Sequence, residues 1–336
     1  MPNDRFSLAA GSLSRRRLLT GTVAVAGLLA APRLGRADTD ILKVGDQRAS
    51  IRSILEASGQ LKDVPYTVKF ADFPAAAPLL ETLNAGAVDV GFAGDAPHSF
   101  ALSNGLPAKI VAAGRSDPAC IGILVRKDSP IQSVADLKGR SIATGRGSIG
   151  HYMVVAALTA HGLTVNDVKL TFLQPAEAKL AFANGTVDAW SVWTLYIAQE
   201  VVAGTGRVLV NGRGLVNNNA FISAADTAIA TKRPIVQDFV ARVAAARLWA
   251  LDHAADYARI WADLVKVTPD VATYAFNLER FRPVAVDDAV VADLQKTADF
   301  YTTLGVIQKP FQAAQHVDRS FPLAPAVLAD SAARAG

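Results

Sequence analysis

The sequence has a single cysteine, Cys120, among its 336 residues. A lone cysteine excludes an internal disulfide and a zinc site built from several cysteines. Beyond residue 37, no apolar run reaches the roughly 18 residues that a membrane-spanning helix needs. The five histidines are scattered, without the His-Glu-x-x-His spacing of a metalloprotease, and no Gly-x-Ser-x-Gly elbow occurs. The sequence therefore gives no support to a metal site, and we expect no cofactor.

The first 37 residues have the pattern of an export signal. Three arginines at 15–17 precede an apolar run, 21–31, which is too short to span a bilayer, and small residues follow before Asp38. Paired arginines before Leu18 and Leu19 are typical of the twin-arginine signal of bacteria. The sequence thus predicts a periplasmic protein exported by the twin-arginine or the general secretory route, with an uncleaved anchor as the alternative.

Removal of this segment changes the charge of the chain. The whole sequence carries 34 basic and 30 acidic residues, a net charge of +4. The segment 1–37 holds six arginines and one acidic residue, Asp4, so the remaining 299 residues carry 28 basic and 29 acidic residues, a net charge of −1. The apparent basicity belongs to the signal, and nothing in the charge balance favours binding to nucleic acid.

After residue 37, predicted strands alternate with predicted helices, and this alternation is typical of a mostly parallel sheet covered by helices on both faces. A first group of strands is predicted at 41–44, 66–70, 88–92, 109–113 and 121–125. The pattern then restarts, with strands at 141–143, 168–173 and 187–192. The sequence predicts an α/β fold with two lobes, then a nearly all-helical part, 234–304, and a surface tail, 321–336.

Three predicted strand-to-helix junctions carry small or polar residues, and open α/β sheets bind ligands at such junctions. At the first junction Gln47 and Arg48 offer hydrogen-bond donors, although a plain polar loop is the alternative. At the second junction, after Gly94, Asp95 is placed as the N-cap of a helix whose first turn contains Pro97. A capping aspartate and nothing more is the alternative there.

The third junction, 145–151, reads Gly-Arg-Gly-Ser-Ile-Gly-His and is predicted to bind an anion. Glycines such as Gly147 let the backbone approach a ligand, and free amides at the start of a helix attract negative charge. Ser148 is predicted to cap that helix or to donate its hydroxyl to the anion. His151 lies in the first turn beside this site, where a structural role is the alternative. The segment lacks the Lys-Ser/Thr of a nucleotide-binding P-loop.

Two tryptophans lie three residues apart near the end of the predicted strand 187–192. Indole rings are costly to expose, so they pack in a core or form the wall of an apolar pocket. We interpret Trp190 as a core residue and Trp193 as a pocket wall. Cys120 precedes an apolar strand and is interpreted as a small buried residue.

Together these segments resemble the periplasmic substrate-binding proteins of ABC importers for aliphatic sulfonates, taurine and nitrate. The resemblance is strongest between residues 45 and 196. It is carried by the order and spacing of several segments, namely 45–48, 79–91, 94–97, 127–131, 134–139, 147–148, 151–152 and 187–190.

The resemblance implies a type II periplasmic binding protein fold, in which two α/β lobes close over a ligand by a hinge motion. Lobe 1 would comprise 38–126 and 226–320, and lobe 2 would comprise 127–225. The resemblance also implies a monomer that captures a small organic sulfonate without catalysis and delivers it to an ABC permease in the inner membrane.

The resemblance further implies which residues lie at the ligand. A sulfonate group would sit on the amides near Ser148, and an organic tail would lie against Phe73 and Trp193. The expected ligand-binding residues are Gln47, Arg48, Phe73, Gly94, Asp95, Gly147, Ser148, His151, Trp190, Trp193 and Thr194.

Several departures from the family pattern surround this expected cleft. Asp46, Arg48 and Ala49 stand where the family commonly has an aromatic residue, a lysine and a glycine. Thr194 stands where a carboxylate is frequent, which weakens the case for an amino group on the ligand, and His98 stands where a second proline is usual. Alternative ligands are therefore nitrate, another sulfur oxyanion or a pyrimidine-type precursor.

Two alternatives lie outside the class of transport proteins. Desulfinases share this fold and use a cysteine nucleophile, and Cys120 is the one candidate in the sequence, with no evident base nearby. A sensor or interaction module unrelated to uptake is the other alternative.

Overall fold

A computed structural model describes residues 41–48 and 50–334 of the chain. The predicted export signal, 1–37, lies outside the described residues. No helix within the described ranges is long and apolar enough to cross a membrane. All the described residues belong to one compact unit.

The described residues form eleven strands and eleven α-helices. The strands are β1 Ile41–Gln47, β2 Thr67–Phe73, β3 Val90–Gly94, β4 Ala108–Arg115, β5 Ile121–Arg126, β6 Ser141–Thr144, β7 Lys169–Phe172, β8 Ala189–Trp193, β9 Gly206–Asn211, β10 Asn219–Ala225 and β11 Arg282–Val284. The helices are α1 Ser50–Ala57, α2 Ala76–Asn84, α3 Asp95–Ser103, α4 Ile149–Ala160, α5 Pro175–Ala183, α6 Thr194–Val202, α7 Asp226–Asp252, α8 Ala254–Val265, α9 Pro269–Glu279, α10 Asp288–Thr303 and α11 Pro325–Ala333.

The strands form two mixed sheets. The first sheet has the order β11-β4-β10-β3-β1-β2, with β10 antiparallel to both β3 and β4. The second sheet has the order β7-β6-β8-β5-β9, with β5 antiparallel to both β8 and β9. Strands β1, β2 and β3 pair in parallel, as do β6, β7 and β8. Each sheet thus has a group of parallel pairs at one side, and its other neighbouring strands pair antiparallel.

Helix α2 shows how the sequence fixes the ends of the parallel strands. Its leucines Leu79, Leu80 and Leu83 recur on one face and are buried against the first sheet. A Cβ at Gly91 of β3 would come within 2.6 Å of the Leu79 side chain, so any larger residue would force Leu79 to move from its present position. The packing holds the carboxyl ends of β1 and β3 side by side, where the first two predicted junctions lie.

The strand-helix alternation predicted from the sequence is confirmed, but the expectation of mostly parallel sheets is wrong. Strands β9 and β10 are present where no strand was predicted. The predicted lobe boundaries also differ from the sheets. Strand β5 was assigned to lobe 1 and lies in the second sheet, while β10 was assigned to lobe 2 and lies in the first. The chain passes between the sheets at 116–120, from β4 to β5, and at 212–218, from β9 to β10. Strand pairing depends on tertiary contacts, so the order of the strands in the sequence does not fix which sheet each one joins.

The predicted surface tail, 321–336, contains a helix that is attached to the rest of the protein. Residues 325–333 form α11, which packs against β11 and α7. Phe321 is buried in the core, and the buried hydroxyl of Ser331 donates to the carbonyl of Pro283. Arg334 forms an ion pair with Asp252 of α7. An alanine-rich helix needs few large side chains here because Phe321 and these polar contacts attach it.

His98 of α3 is fully buried and is bonded at both ring nitrogens. Its Nδ1 lies 2.9 Å from the carbonyl of Gly94, and its Nε2 lies 2.8 Å from the Ser223 hydroxyl on β10. Since a carbonyl only accepts, Nδ1 carries the proton and Nε2 accepts from Ser223. Burial lowers the pKa of His98 to about 4. The neutral ring therefore joins α3 to the first sheet.

We predict that the stabilising effect of His98 is lost in acid. The unfolded chain binds a proton near pH 6.5 and the folded chain only near pH 4, so protonation favours unfolding between these values. The difference in free energy of unfolding between wild type and His98→Asn should shrink by about 3 kcal/mol from pH 7 to pH 4. Urea titrations at several pH values measure it.

The exposed His253→Asn variant is the matched control for this experiment. Buried Asp95, whose pKa is raised to about 8 by burial, has the opposite pH dependence, but it is present in both proteins and so cancels in the comparison. A wild-type advantage over His98→Asn that stayed constant with pH would contradict the prediction.

Candidate functional site

A cavity of about 350 Å³ lies between the two sheets. One side is lined from the first sheet and α3, and the opposite side by the loop before α4, the start of α5 and the β8–α6 junction. Ser116, Cys120 and Asn218, from the two passages between the sheets, form its floor. All three predicted junctions contribute to this one cavity, which makes it the candidate binding site.

Seven of the eleven residues expected at the ligand line the cavity. These are Gln47, Arg48, Gly94, Gly147, Ser148, Trp193 and Thr194. The other four do not line it: Asp95, His151 and Trp190 are buried behind the wall, and Phe73 lies at the end of β2 next to the lining residue Pro74. The predicted segments thus line one cavity, but the sequence could not distinguish side chains that face the cavity from their buried neighbours.

Ser148 is the N-cap of α4, as predicted. Its hydroxyl accepts from the backbone N–H of His151 at 3.2 Å and donates to the carbonyl of Gly145 at 2.7 Å. The buried Tyr301 of α10 donates to the Ser148 carbonyl at 2.9 Å. The hydroxyl proton is therefore engaged within the loop, and the backbone N–H groups of Ile149 and Gly150, the first two helical residues, are the free donors for an anion.

The buried His151 supports the loop that precedes α4, residues 145–148, which is called the anion loop here. Its Nδ1 accepts a hydrogen bond from the backbone N–H of Gly147 at 3.3 Å. Burial, with the charge of Arg146 as a smaller cause, lowers the pKa of His151 to about 4, so the ring stays neutral and can accept. Gly147 adopts φ +67° and lies against Phe100 of α3. His151 thus stabilises a left-handed backbone turn at Gly147, and glycine adopts this conformation far more readily than other residues do.

Two arginines face the cavity from opposite sheets. The guanidinium of Arg146 stacks over the Phe172 ring at 3.9 Å, which leaves its edge free to donate. Arg48 has φ +52°, its guanidinium donates to the carbonyl of Val265 at 3.3 Å, and its buried Nε has no partner among the described residues. Both cations line the cavity, where their positive charge favours an anionic group.

Buried carboxylates support the two junctions of the first sheet. Asp46 accepts from the amides of Ile51 at 2.9 Å and Arg52 at 2.8 Å, which ties the end of β1 to α1. Burial raises the pKa of Asp46 to about 6 in spite of these bonds. Asp95 is not the N-cap predicted for α3. The extended Gly94 occupies that position and Asp95 is the first helical residue.

The tryptophan predictions are confirmed by their positions. Trp190 is fully buried in the core of the second sheet, and Trp193 lines the cavity. Thr194, with φ +22°, forms the sharp turn from β8 into α6. Cys120 is buried as predicted, and Asn218 donates to its sulfur at 3.0 Å. Burial raises the pKa of the Cys120 thiol, with the charge of Glu279 as the next cause.

Several cavity residues were missed from the sequence. Phe92 and Phe100 lie inside elements that read as ordinary core segments, and Trp261 and Glu279 come from helices α8 and α9, far along the chain. Arg146 and Tyr196 carried a sequence signal, because Arg146 lies in the predicted anion-binding junction and Tyr196 ends the segment that holds the two tryptophans. No group of three or more potential metal ligands occurs within the residues that the structure describes.

Comparison with known proteins places these features in a family. The family model described as "NMT1/THI5 like" matches residues 69–256. The chain is similar to the crystal structure of the periplasmic aliphatic sulphonate binding protein SsuA from Escherichia coli, with 30% identity, a TM-score of 0.75 and coverage of 83% of this chain and 92% of that one.

Two further proteins are informative. The alkanesulfonate-binding protein SsuA from Xanthomonas axonopodis pv. citri, bound to MOPS, shares 29% identity with a TM-score of 0.79 and coverage of 84% and 99%. A 2'-hydroxybiphenyl-2-sulfinate desulfinase of Rhodococcus erythropolis is 28% identical over 56% of this chain and 67% of its own. The chain has the two-lobed fold of periplasmic binding proteins.

We predict that His151→Phe loosens the anion loop. Phenylalanine keeps an aromatic ring near Phe172 and Tyr301, whose rings lie 5.0 and 5.8 Å from His151, but it leaves the Gly147 N–H without an acceptor. The free energy of unfolding should fall by about 1–3 kcal/mol. Amide hydrogen exchange should become faster in residues 145–150.

His161→Phe, at the exposed C-terminal end of the same helix, is the matched control. Unchanged hydrogen exchange of the loop in His151→Phe would show that the Gly147 contact does not hold it.

Proposed function

We infer the function of this chain from its family, because the chain belongs to the NMT1/THI5 like proteins. It is the solute-binding component of an ABC importer: exported to the periplasm as a monomer, it captures a small organic sulfonate in the cavity and delivers it to a permease in the inner membrane. The observation that carries this proposal is the cavity between the sheets, which joins an anion-binding helix start to apolar walls.

The anionic group lies at the start of α4. The backbone N–H groups of Ile149 and Gly150 point out of the first turn, and the dipole of this twelve-residue helix favours negative charge there. Arg146, two residues before the cap, adds a full positive charge on the same side of the cavity. A sulfonate has three acceptor oxygens, so it can accept from the amides and the guanidinium together.

The size and lining of the cavity favour an organic ligand over a bare inorganic anion. A volume of about 350 Å³ corresponds to roughly a dozen water molecules. Nitrate or sulfate would fill only a small part of this space and would leave aromatic walls in contact with water. Phe92, Trp193 and Trp261 offer the apolar surface that an alkyl or aryl tail needs.

Hinge motion of the two lobes follows from the chain path. Two passages, 116–120 and 212–218, connect the sheets and also line the floor of the cavity. We place the lobe boundaries at these passages, so that lobe 1 contains the first sheet and lobe 2 contains β5–β9. Closure about them brings Gln47 and Arg48 towards Arg146 and Trp193.

Binding proceeds without catalysis. A cysteine nucleophile must ionise, and burial raises the pKa of the Cys120 thiol strongly. No histidine lines the cavity among the described residues, so Cys120 has no imidazole base there. This supports a binding protein over a desulfinase-like enzyme.

Calorimetric titration tests the proposal. Wild type should bind at least one alkane- or arylsulfonate from a panel that also contains nitrate, sulfate and a hydroxymethylpyrimidine. Arg146→Gln should weaken sulfonate binding by about tenfold or more, because a charge-assisted hydrogen bond is lost. Arg140→Gln, which removes a surface arginine paired with Asp188, should bind as wild type does.

Absence of binding to every sulfonate, or tight binding of nitrate or the pyrimidine alone, would refute the sulfonate assignment. Equal affinities for wild type and Arg146→Gln would instead refute the position given to the anionic group.

A further inference from the structure

Helix α10 contacts both lobes, although the chain enters it from the first sheet. Three of its residues, Asp293, Thr297 and Tyr301, are spaced four apart and lie along one side of the helix, and we call them the α10 stripe. Thr297 and Tyr301 are fully buried, and Asp293 is partly buried. With a rise of 1.5 Å per residue, the two ends of the stripe lie about 12 Å apart along the helix axis. The stripe can therefore join two separate parts of the molecule.

The Asp293 end of the stripe is bonded to both passages between the sheets. Its carboxylate accepts from the guanidinium of Arg115 at 2.7 Å, and Arg115 ends β4 directly before the first passage. It also accepts from the side-chain amides of Asn217 at 3.0 Å and Asn219 at 3.1 Å, where the second passage enters β10. Arg115 in turn donates to the side chain of Asn219 at 2.9 Å. One carboxylate thus holds the ends of both passages together.

The Tyr301 end of the stripe lies against lobe 2. The Tyr301 hydroxyl donates to the carbonyl of Ser148 at 2.9 Å, and Ser148 is the residue of the anion loop that caps α4. The Tyr301 ring packs against Tyr152 and His151 of α4, at centroid distances of 5.5 and 5.8 Å. It belongs to the same hydrophobic cluster as Ile142 of the second sheet. The end of α10 is therefore anchored in the lobe opposite to the sheet from which the helix starts.

Nothing in the sequence of α10 interrupts the helix between these two ends. Residues 288–303 contain neither glycine nor proline, the residues at which helices most often kink. Midway along the stripe, the Thr297 hydroxyl donates to the carbonyl of Asp293 at 3.2 Å and lies 3.5 Å from the carboxylate of the buried Asp95 at the start of α3. The stripe is thus a continuous and closely packed segment of helix.

We propose that α10 couples the two passages to the anion loop, so that Asp293 and Tyr301 are positioning residues for the ligand although neither lines the cavity. The identity of that ligand as a sulfonate rests on the proposed function. A displacement of the passages moves Asp293 and the helix, and Tyr301 transmits it to the carbonyl of Ser148. The amides of Ile149 and Gly150 follow directly in the chain, so the anion site takes its binding geometry in the lobe arrangement in which the Tyr301 bond forms.

Amide hydrogen exchange in the free protein tests the coupling without any ligand. Asp293→Asn keeps the shape of the side chain but removes the charge that Arg115 binds. Exchange in the anion loop should become about threefold to tenfold faster, although the substitution lies at the far end of the stripe. Because coupling is reciprocal, Tyr301→Phe should speed exchange in the passages 116–120 and 212–218 as well as in the loop. Each variant perturbs one end, so either one alone tests the proposal.

Asp318→Asn and Tyr66→Phe are the matched controls. Asp318 pairs with Arg233, and the Tyr66 hydroxyl donates to Asp238, so the same kinds of bond are removed outside the stripe, the passages and the anion loop. Exchange in the loop should stay at the wild-type rate in both controls. An unchanged rate in Asp293→Asn, or an equal increase in Asp318→Asn, overturns the coupling.

Calorimetric titration with butane-1-sulfonate extends the test to the bound protein. Asp293→Asn and Tyr301→Phe should each weaken binding by about threefold to tenfold. Substitutions at independent sites multiply their effects, whereas the double variant should lose little more affinity than either single variant if both act through one helix. Multiplied losses overturn the coupling. Absence of wild-type binding to butane-1-sulfonate and to the wider sulfonate panel overturns the proposed function, and the exchange measurement alone then decides the coupling.

Discussion

The two passages of chain between the sheets are the constraint on which the rest of the structure depends. They are bonded to each other: the Ser116 N–H donates to the carbonyl of Asn218 at 3.0 Å, and the Asn218 side chain donates to the Cys120 sulfur. Gly212 is needed where they approach, because a Cβ there would lie 2.6 Å from the carbonyl of Pro118. The floor of the cavity is therefore built from the same two passages that connect the sheets.

The ionisable groups behind the cavity wall differ in charge and bonding from those that line the cavity. The groups behind the wall are kept neutral or are tied to backbone amides: His98 and His151 have lowered pKa values, and Asp46 accepts from the start of α1. Arg48 and Arg146 face the cavity itself and lack an ion-pair partner among the described residues. Unpaired positive charge thus lines the cavity, while the titratable groups directly behind it are neutral or bonded to the backbone and contribute rigidity.

Local signals explain what could be predicted from the sequence. Ser148 was recognisable as a helix cap because capping depends on a few neighbouring residues. Trp193 was recognisable as a cavity wall because the junction between a strand and the following helix can be recognised from a short stretch of sequence. The prediction that Asp95 is the N-cap of α3 was wrong, and the reason is also local. Gly94 already has the extended backbone of an N-cap, so the helix begins at Asp95, one residue earlier than predicted. Strand partners and side-chain orientation depend on distant segments, and therefore the predicted lobe boundaries separate β5 and β10 from the other strands of their sheets.

Glu279 and Trp261 show why the site itself could not be completed from the sequence. Both belong to amphipathic helices whose sequences resemble any helix that packs on a sheet, and neither lies in a junction that marks a binding site. They reach the cavity because the chain returns to the first sheet through β10 and then continues as helices along the cleft. The anion-binding half of the cavity is thus encoded locally in 145–151, whereas the opposite half depends on tertiary structure.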